Sequence, residues 1–413
     1  MFRKLTLLTV LIYFAIGCNQ NSADELLVQK AMKIHDRVLT VDSHTDTPLW
    51  FLRGNFDLSE RHDAREDGSK VDFPRMKEGG MDAVFFVVFL GQRERTPEGN
   101  EIAVAKAEKI FDSLHAVVNR LPELAEIAST PNDAFRIEKE GKRAVFIGIE
   151  NGYAIGNDIS LIEHFYNRGA RYITLCHTKN NDICDSSTDS IEFNGLSEFG
   201  KLVVKEMNRV GMMVDVSHIS DSSFYDVIDL SKAPVIASHS SARVICDTPR
   251  NLTDDMLVKL AENGGVAQVC ILSDYVKKMP SNPLRDSARR ALREKYRNFE
   301  GLSDEEMKMA REEWYGLNKK FPGNLATLQD YVDHIDHIVE IAGIDHVGIG
   351  TDFDGGGGVN GCYDVSEMPN ITIELVKRGY TEEQITKIWG GNFMRVMSDV
   401  KKIADIQNHQ ALN

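Results

Sequence analysis

The 413-residue chain predicts an α/β fold, a single (β/α)8 TIM-type barrel, on three observations. Eight short apolar runs alternate with longer amphipathic segments, the pattern of βα units around a parallel sheet. The runs are rich in Val, Ile and Phe and mostly lack polar alternation, as strands covered on both faces require. Six of the eight lead directly into His, Asp or Glu, and in barrels of this kind the carboxyl ends of the strands build the site.

The first run, residues 38–41, leads into His44 and Asp46. Two residues apart in extended backbone, these side chains share a face, a geometry suited to a divalent cation. The second run, 81–90, does not end at such a residue. The third, 143–149, ends at Glu150; the fourth, 172–176, at His177; the fifth, 212–216, at His218; the sixth, 234–237, at His239. The seventh is 265–271, and the eighth, 346–350, leads to Asp352 and Asp354. One His beyond a strand is ordinarily a core or loop residue, but six strand ends in register are expected to converge on one mouth. His35, His62, His115, His164, His334, His337, His346 and His409 fall on helices, loops, a strand start or the tail. His334 and His337 stand i,i+3 on an amphipathic helix over 328–342, a spacing able to bind metal, but a solvated helical face is the preferred reading.

Forty-eight Lys+Arg against 63 Asp+Glu give a formal charge of -15. That balance repels a phosphate backbone, excludes general nucleic-acid binding and points to small-molecule partners. The length suits one barrel or two ordinary domains. Residues 1–18 read as an export signal: Arg3 and Lys4, an apolar run over 5–16 too short to span a bilayer, then Gly17-Cys18. Gly17-Cys18 resembles a bacterial lipoprotein signal in which Cys18 is lipidated, with Ala15 where Leu is usual; ordinary secretion is the alternative. The expected layout is a tether over 19–30, a barrel domain over 31–400 and a tail over 401–413. The expected location is the bacterial cell envelope, membrane-held by the lipid, or secreted or periplasmic without it.

Cys176, Cys184, Cys246, Cys270 and Cys362 show no CxxC spacing. They read as buried small hydrophobes, while Cys176 and Cys184 are near enough in sequence to pair in an oxidising compartment. A charged segment over 274–321 is expected as two solvated helices after the seventh strand, either a lid or a solvated insertion. The run Gly355 to Gly358 is expected to form a mobile loop at the mouth.

The segments VDSHTDTP, VFIGIENGYAI, YITLCHTKNND, DVSHIS, PVIASHSSAR, PRNLTDDML, GIGTDFDGGGG and WGGNFMRVM occur in this order. Together the chain resembles the membrane dipeptidase (renal dipeptidase) family of zinc metallopeptidases. The resemblance implies a barrel with two Zn2+ per chain, hydrolysis of dipeptides, and a homodimer. It implies that His44 and Asp46 bind the first zinc, Glu150 bridges both, and His218 with His239 bind the second. A water held between the ions would lose a proton near neutral pH and become the nucleophile. His177 would contact the scissile carbonyl oxygen, Arg250 would grip the free carboxylate, and Asp352 would orient the water and shuttle its proton. Asp354 shares the parity of Asp352 and is the alternative for that role. Family members differ in side-chain preference, and several accept a D-residue at the carboxyl end or open β-lactams. Two rivals are a barrel amidohydrolase acting on other amides, a group that usually opens with His-x-His, and a non-catalytic surface lipoprotein.

Overall fold

A computed structural model describes residues 24–52, 56–66, 68–297, 302–321 and 323–411. The expected export signal and Cys18 lie outside the described residues. Among those described, no helix is long and apolar enough to cross a membrane.

Among the described residues nine strands form: β1 (Val41–Thr45), β2 (Ala83–Phe89), β3 (Ala125–Ile127), β4 (Arg143–Glu150), β5 (Ala170–Thr174), β6 (Met213–Asp215), β7 (Ile236–Ala237), β8 (Val266–Cys270) and β9 (Val347–Gly350). Eight of them run parallel in the order β1-β2-β4-β5-β6-β7-β8-β9, with β3 paired to the first half of β4. Main-chain bonds Asp352 N–H to His44 O (3.0 Å) and Asp46 N–H to Phe353 O (2.8 Å) join the last strand to the first. The fold is the expected eight-stranded barrel with helices between strands.

Strand alternation divides the core. On β2, Phe85 and Val87 face inward with Ala144 and Phe146 of β4, Tyr172 of β5 and Met213 of β6. Val84, Phe86, Val88, Val145, Ile147 and Ile149 face the surrounding helices, as period-two geometry requires. The rings of Phe85 and Phe146 stack 4.8 Å apart, and Phe393 from the last helix meets Phe85 edge-on at 5.1 Å. This plugs the amino end of the barrel and leaves the carboxyl end to polar groups.

Several boundaries differ from expectation. β1 starts at Val41 instead of residue 38 because Thr40 is tied by its N–H and hydroxyl to Asp82 and Gly80, so the ladder opens later and His44 lies within the strand. β5 runs two residues earlier than expected, which leaves His177 on the loop beyond it. Residues 24–35 are already helical where a tether to residue 30 is expected, and 401–411 complete the helix Asn392–Ala411 instead of forming a tail. The charged insertion does hold two helices, Pro283–Lys295 and Asp304–Lys320, which bury Leu292, Tyr296 and Ala310 against each other.

Candidate metal centre

Alternation on β4 sets one inward stripe of Phe146, Gly148 and Glu150. The phenyl fills the barrel floor, the glycine admits the Tyr172 ring, which a Cβ there would strike, and the carboxylate reaches the mouth. Glu150 is buried, and its two oxygens face different partners. Oε1 lies 3.0 Å from His218 Nε2, 3.4 Å from His239 Nε2 and 4.0 Å from His177 Nε2. Oε2 lies 3.6 Å from His44 Nε2. Among the described residues three groups of candidate ligand atoms result, each within 4.8 Å: His44, Glu150 and His239; Glu150, His177 and His218; His44, Asp46 and Asp352. The strand register shifts between Asp42 and Thr45, so His44 and Asp46 meet in one cluster despite an interrupted pleat.

The backbone is strained where the site is made. His218 and Asp352 adopt left-handed conformations, φ 71° and 56°, uncommon for residues with a Cβ. The Ser187 N–H donates to His218 O (2.8 Å) and fixes the first. The N–H groups of Gly355, Gly356 and Gly357 all donate to Asp352 O and fix the second. Gly355 is pressed so closely on Asp46 Oδ2 and Asp352 Oδ1 that a Cβ would collide with both. The glycine run, read from sequence as a mobile loop, is packed on these carboxylates and tied into the mouth. The Lys70 ammonium donates to Gly357 O, the Gly358 N–H to Ile271 O, and the Ser273 hydroxyl to Gly358 O. Asp354 is occupied by this scaffolding, accepting from the Thr47 hydroxyl (2.8 Å) and the Lys70 backbone N–H (2.8 Å), whereas Asp352 joins His44 and Asp46.

The cluster is electrostatically incomplete without cations. His44 Nε2 and Asp46 Oδ1 are buried with no hydrogen-bond partner, which folded proteins rarely tolerate. Nε2 of His218 and Nε2 of His239 stand 2.9 Å apart, a contact that needs a proton or a cation between two lone pairs. Burial, then repulsion from Glu150, lifts the Asp46 carboxyl well above its usual range. Burial, with Glu150 again adding, raises Asp352 to about 7 against the pull of His44, Arg250 and Lys70. Burial opposes charge on His44, yet Glu150, Asp46 and Asp352 outweigh it and raise the imidazole to about 9. For His218 and His239 burial wins, keeping both rings neutral and their lone pairs free. Imidazole nitrogens with carboxylate oxygens suit zinc, so the residues present fit the metal that the sequence resemblance implies.

His177 sits at the rim, its ring edge-on to Phe89 at 4.9 Å, with Nδ1 3.2 Å from the Thr178 hydroxyl. Burial lowers its pKa despite the pull of Glu150, so a neutral ring with one N–H faces the cluster. Arg250 is 3% exposed. It donates to His239 O (3.0 Å) and Ser240 Oγ (3.2 Å), lies over the Tyr275 ring at 5.1 Å, and keeps a buried Nε–H without a hydrogen-bond partner.

His334 is not on a solvated face. It is fully buried, with Nδ1 accepting from the Ala242 N–H (3.0 Å) and Nε2 donating to Val276 O (2.8 Å), while His337 pairs with Asp254. The five cysteines after Cys18 are free and buried. Sequence reasoning missed the residues behind the ligands: Asp42, which accepts from His44 N–H and Thr351, and Tyr172, Asp215 and Ser238. A repeated Ser-His dipeptide, Ser43-His44, Ser217-His218 and Ser238-His239, is the signal that could have exposed some of them.

The family model described as Membrane dipeptidase (Peptidase family M19) matches residues 28–411. The chain belongs to that family. Dipeptidase verJ of Clonostachys rogersoniana is 31% identical to this family member over 387 residues, 91% of this chain and 88% of its own length. The probable dipeptidase PvdM from Pseudomonas aeruginosa has a solved structure that matches with a TM-score of 0.78 at 32% identity, covering 92% of this chain and 99% of that one. A metallo peptidase from Rhodobacter sphaeroides, liganded with a phosphinate mimic of dipeptide L-Ala-D-Ala, shares the fold, with a TM-score of 0.71 at 21% identity over 88% and 99% of the two chains. The present M19 dipeptidase is thus a hydrolase of a metallopeptidase family on a TIM-type barrel.

Proposed function

We propose that this M19 dipeptidase holds two zinc ions at the barrel mouth and hydrolyses dipeptides bearing a free carboxylate, including those with a D-residue at the carboxyl end. The observation that carries the reading is the division of Glu150, one oxygen toward His218 and His239 and the other toward His44. Glu150 would bridge, His44 and Asp46 would complete one side, and His218 and His239 the other. The ions would supply Lewis acidity and a water activated near neutral pH.

Arg250 binds the substrate carboxylate through its unpartnered Nε–H and sets the distance from carboxylate to scissile bond, which favours dipeptides over longer chains. His177 donates its ring N–H to the carbonyl oxygen, an interaction that strengthens as negative charge develops there. Asp352 is the proton carrier. With cations beside it the carboxyl is an anion, the base form that accepts a proton from the attacking water and returns it to the leaving amine.

The reading also places Cys18 as a lipid anchor in the cell envelope, supported by the signal-like residues before it; loss of palmitate labelling in Cys18→Ala tests that part. The catalytic part is tested with purified protein from residue 19 onward, by zinc analysis and a dipeptide panel with L- and D-residues at the carboxyl end. Two zinc per chain and chelator-sensitive release of free amino acids support it. Zinc without dipeptide hydrolysis favours another amide substrate, and absence of zinc binding overturns it.

A further inference from the structure

Two ring nitrogens on the far side of the metal-facing histidines are engaged by hydroxyls, and the direction of each hydrogen bond can be assigned. Ser238 Oγ lies 2.6 Å from Asp215 Oδ2 and 2.8 Å from His239 Nδ1. Asp215 also accepts from the backbone N–H of Ser217 (3.0 Å) and of Ser238 (2.8 Å) and from the Thr174 hydroxyl. A carboxylate so surrounded by donors acts as an acceptor, so the single Ser238 proton goes to Asp215. The Ser238 oxygen must then accept at His239, which puts the ring proton on Nδ1 and leaves Nε2 bare toward Glu150 and His218.

His44 is arranged in a similar way. Its Nδ1 is 3.4 Å from Ser238 Oγ and a shorter 2.9 Å from Tyr172 Oη, which lies 3.1 Å from Ser43 O. A carbonyl can only accept, so both contacts are satisfied at once only if the phenol donates to Ser43 O and the His44 Nδ1–H donates to the phenol. Nε2 of His44, buried without a partner, again faces the site. Gly148 makes this possible, because any Cβ there would displace the Tyr172 ring.

We infer that Ser238, anchored by Asp215, and Tyr172 are positioning residues that lock His239 and His44 in the Nδ1–H tautomer, Ser238 acting chiefly through the shorter contact to His239 and Tyr172 through His44. The inference rests on the zinc reading above. Outer partners of this kind hold ring orientation and raise ligand basicity, and their loss typically weakens metal binding about 10–100-fold.

The test uses the full chain stripped of metal and titrated with Zn2+ against a chromophoric chelator, followed by anomalous diffraction at sub-saturating zinc. Ser238→Ala is expected to weaken one zinc about 10–100-fold and to empty the peak beside His218 and His239 first. Tyr172→Phe is expected to weaken the other zinc similarly and to empty the peak beside His44 and Asp46 first. Melting in chelator checks that each apo variant is folded, and if Ser238→Ala fails that check, Tyr172→Phe carries the test alone. Folded variants that bind both ions like the wild type overturn the inference while leaving the zinc reading intact. Equal weakening of both ions by each variant also overturns it, since a general structural role would act that way. A wild-type chain that binds no zinc removes the parent reading and this inference with it.

Discussion

Replacing Arg250 by Ala separates carboxylate recognition from catalysis. Arg250 is buried between His239 O, Ser240 Oγ and the Tyr275 ring, with its Nε–H unpartnered. A substrate carboxylate would complete its hydrogen bonding with little rearrangement. Hydrogen bonds to charged groups contribute about 1.5–3 kcal/mol each, so a forked contact through Nε–H and the neighbouring Nη–H of this buried guanidinium is assigned about 3 kcal/mol. At 1.36 kcal/mol per decade that is a factor of about 150. The contact would be made in ground and transition states alike, so its loss should raise KM with kcat little changed. The assay compares a free dipeptide with its carboxyl-amidated analogue in both proteins, with zinc content measured because Arg250 also supports the backbone of His239. Wild type should prefer the free acid by roughly this factor, and Arg250→Ala should lose the preference. Equal wild-type rates on acid and amide, or an equal loss on both in the variant, would refute the clamp.

Asp352→Asn should retain zinc near the wild-type content yet lower kcat by about 10²–10⁴, the range for a lost general base; near-normal turnover would contradict its role. Gly355→Ala should reduce both zinc content and activity, because its Cβ would collide with Asp46 and Asp352. Gly141→Ala, at φ +77° in open space, controls for backbone strain alone, and equal effects in the two variants would refute the packing argument. Lys70 is held near 8, below its ordinary 10.5, chiefly by burial. Between those values the unfolded chain binds the extra proton, so stability should rise with pH from about 8 to 10.5, by about 3 kcal/mol at most. Denaturant titrations should show that rise reduced in Lys70→Met, whereas parallel wild-type and variant curves would contradict the burial of a charged ammonium.

The barrel was legible because parallel strands covered on both faces leave continuous apolar runs. Strand limits were less legible where side chains override the ladder, as Thr40 and Asp82 do before β1. β3 is three residues, Ala125–Ile127, too short to leave a periodic signal. The clustered histidines and carboxylates were visible because chemistry-bearing side chains recur at equivalent strand ends. Tyr172, Ser238 and Asp215 were not, because a hydroxyl or a single carboxylate within a strand gives no signal until the neighbouring strand supplies its partner. His334 misled for a related reason: a polar residue on an amphipathic helix can be fully buried when two backbone groups, Ala242 N–H and Val276 O, meet its ring. The glycine run read as freedom, but its lack of side chains serves close packing on Asp46 and Asp352.

The sharpest check on the two-cation centre is anomalous diffraction at the zinc edge from crystals of the full-length or signal-trimmed protein grown with Zn2+. Two peaks are expected within about 4 Å of each other, one between Glu150 Oε2, His44 and Asp46 and the other between Glu150 Oε1, His218 and His239. A single peak, or two peaks that do not share Glu150, would contradict it.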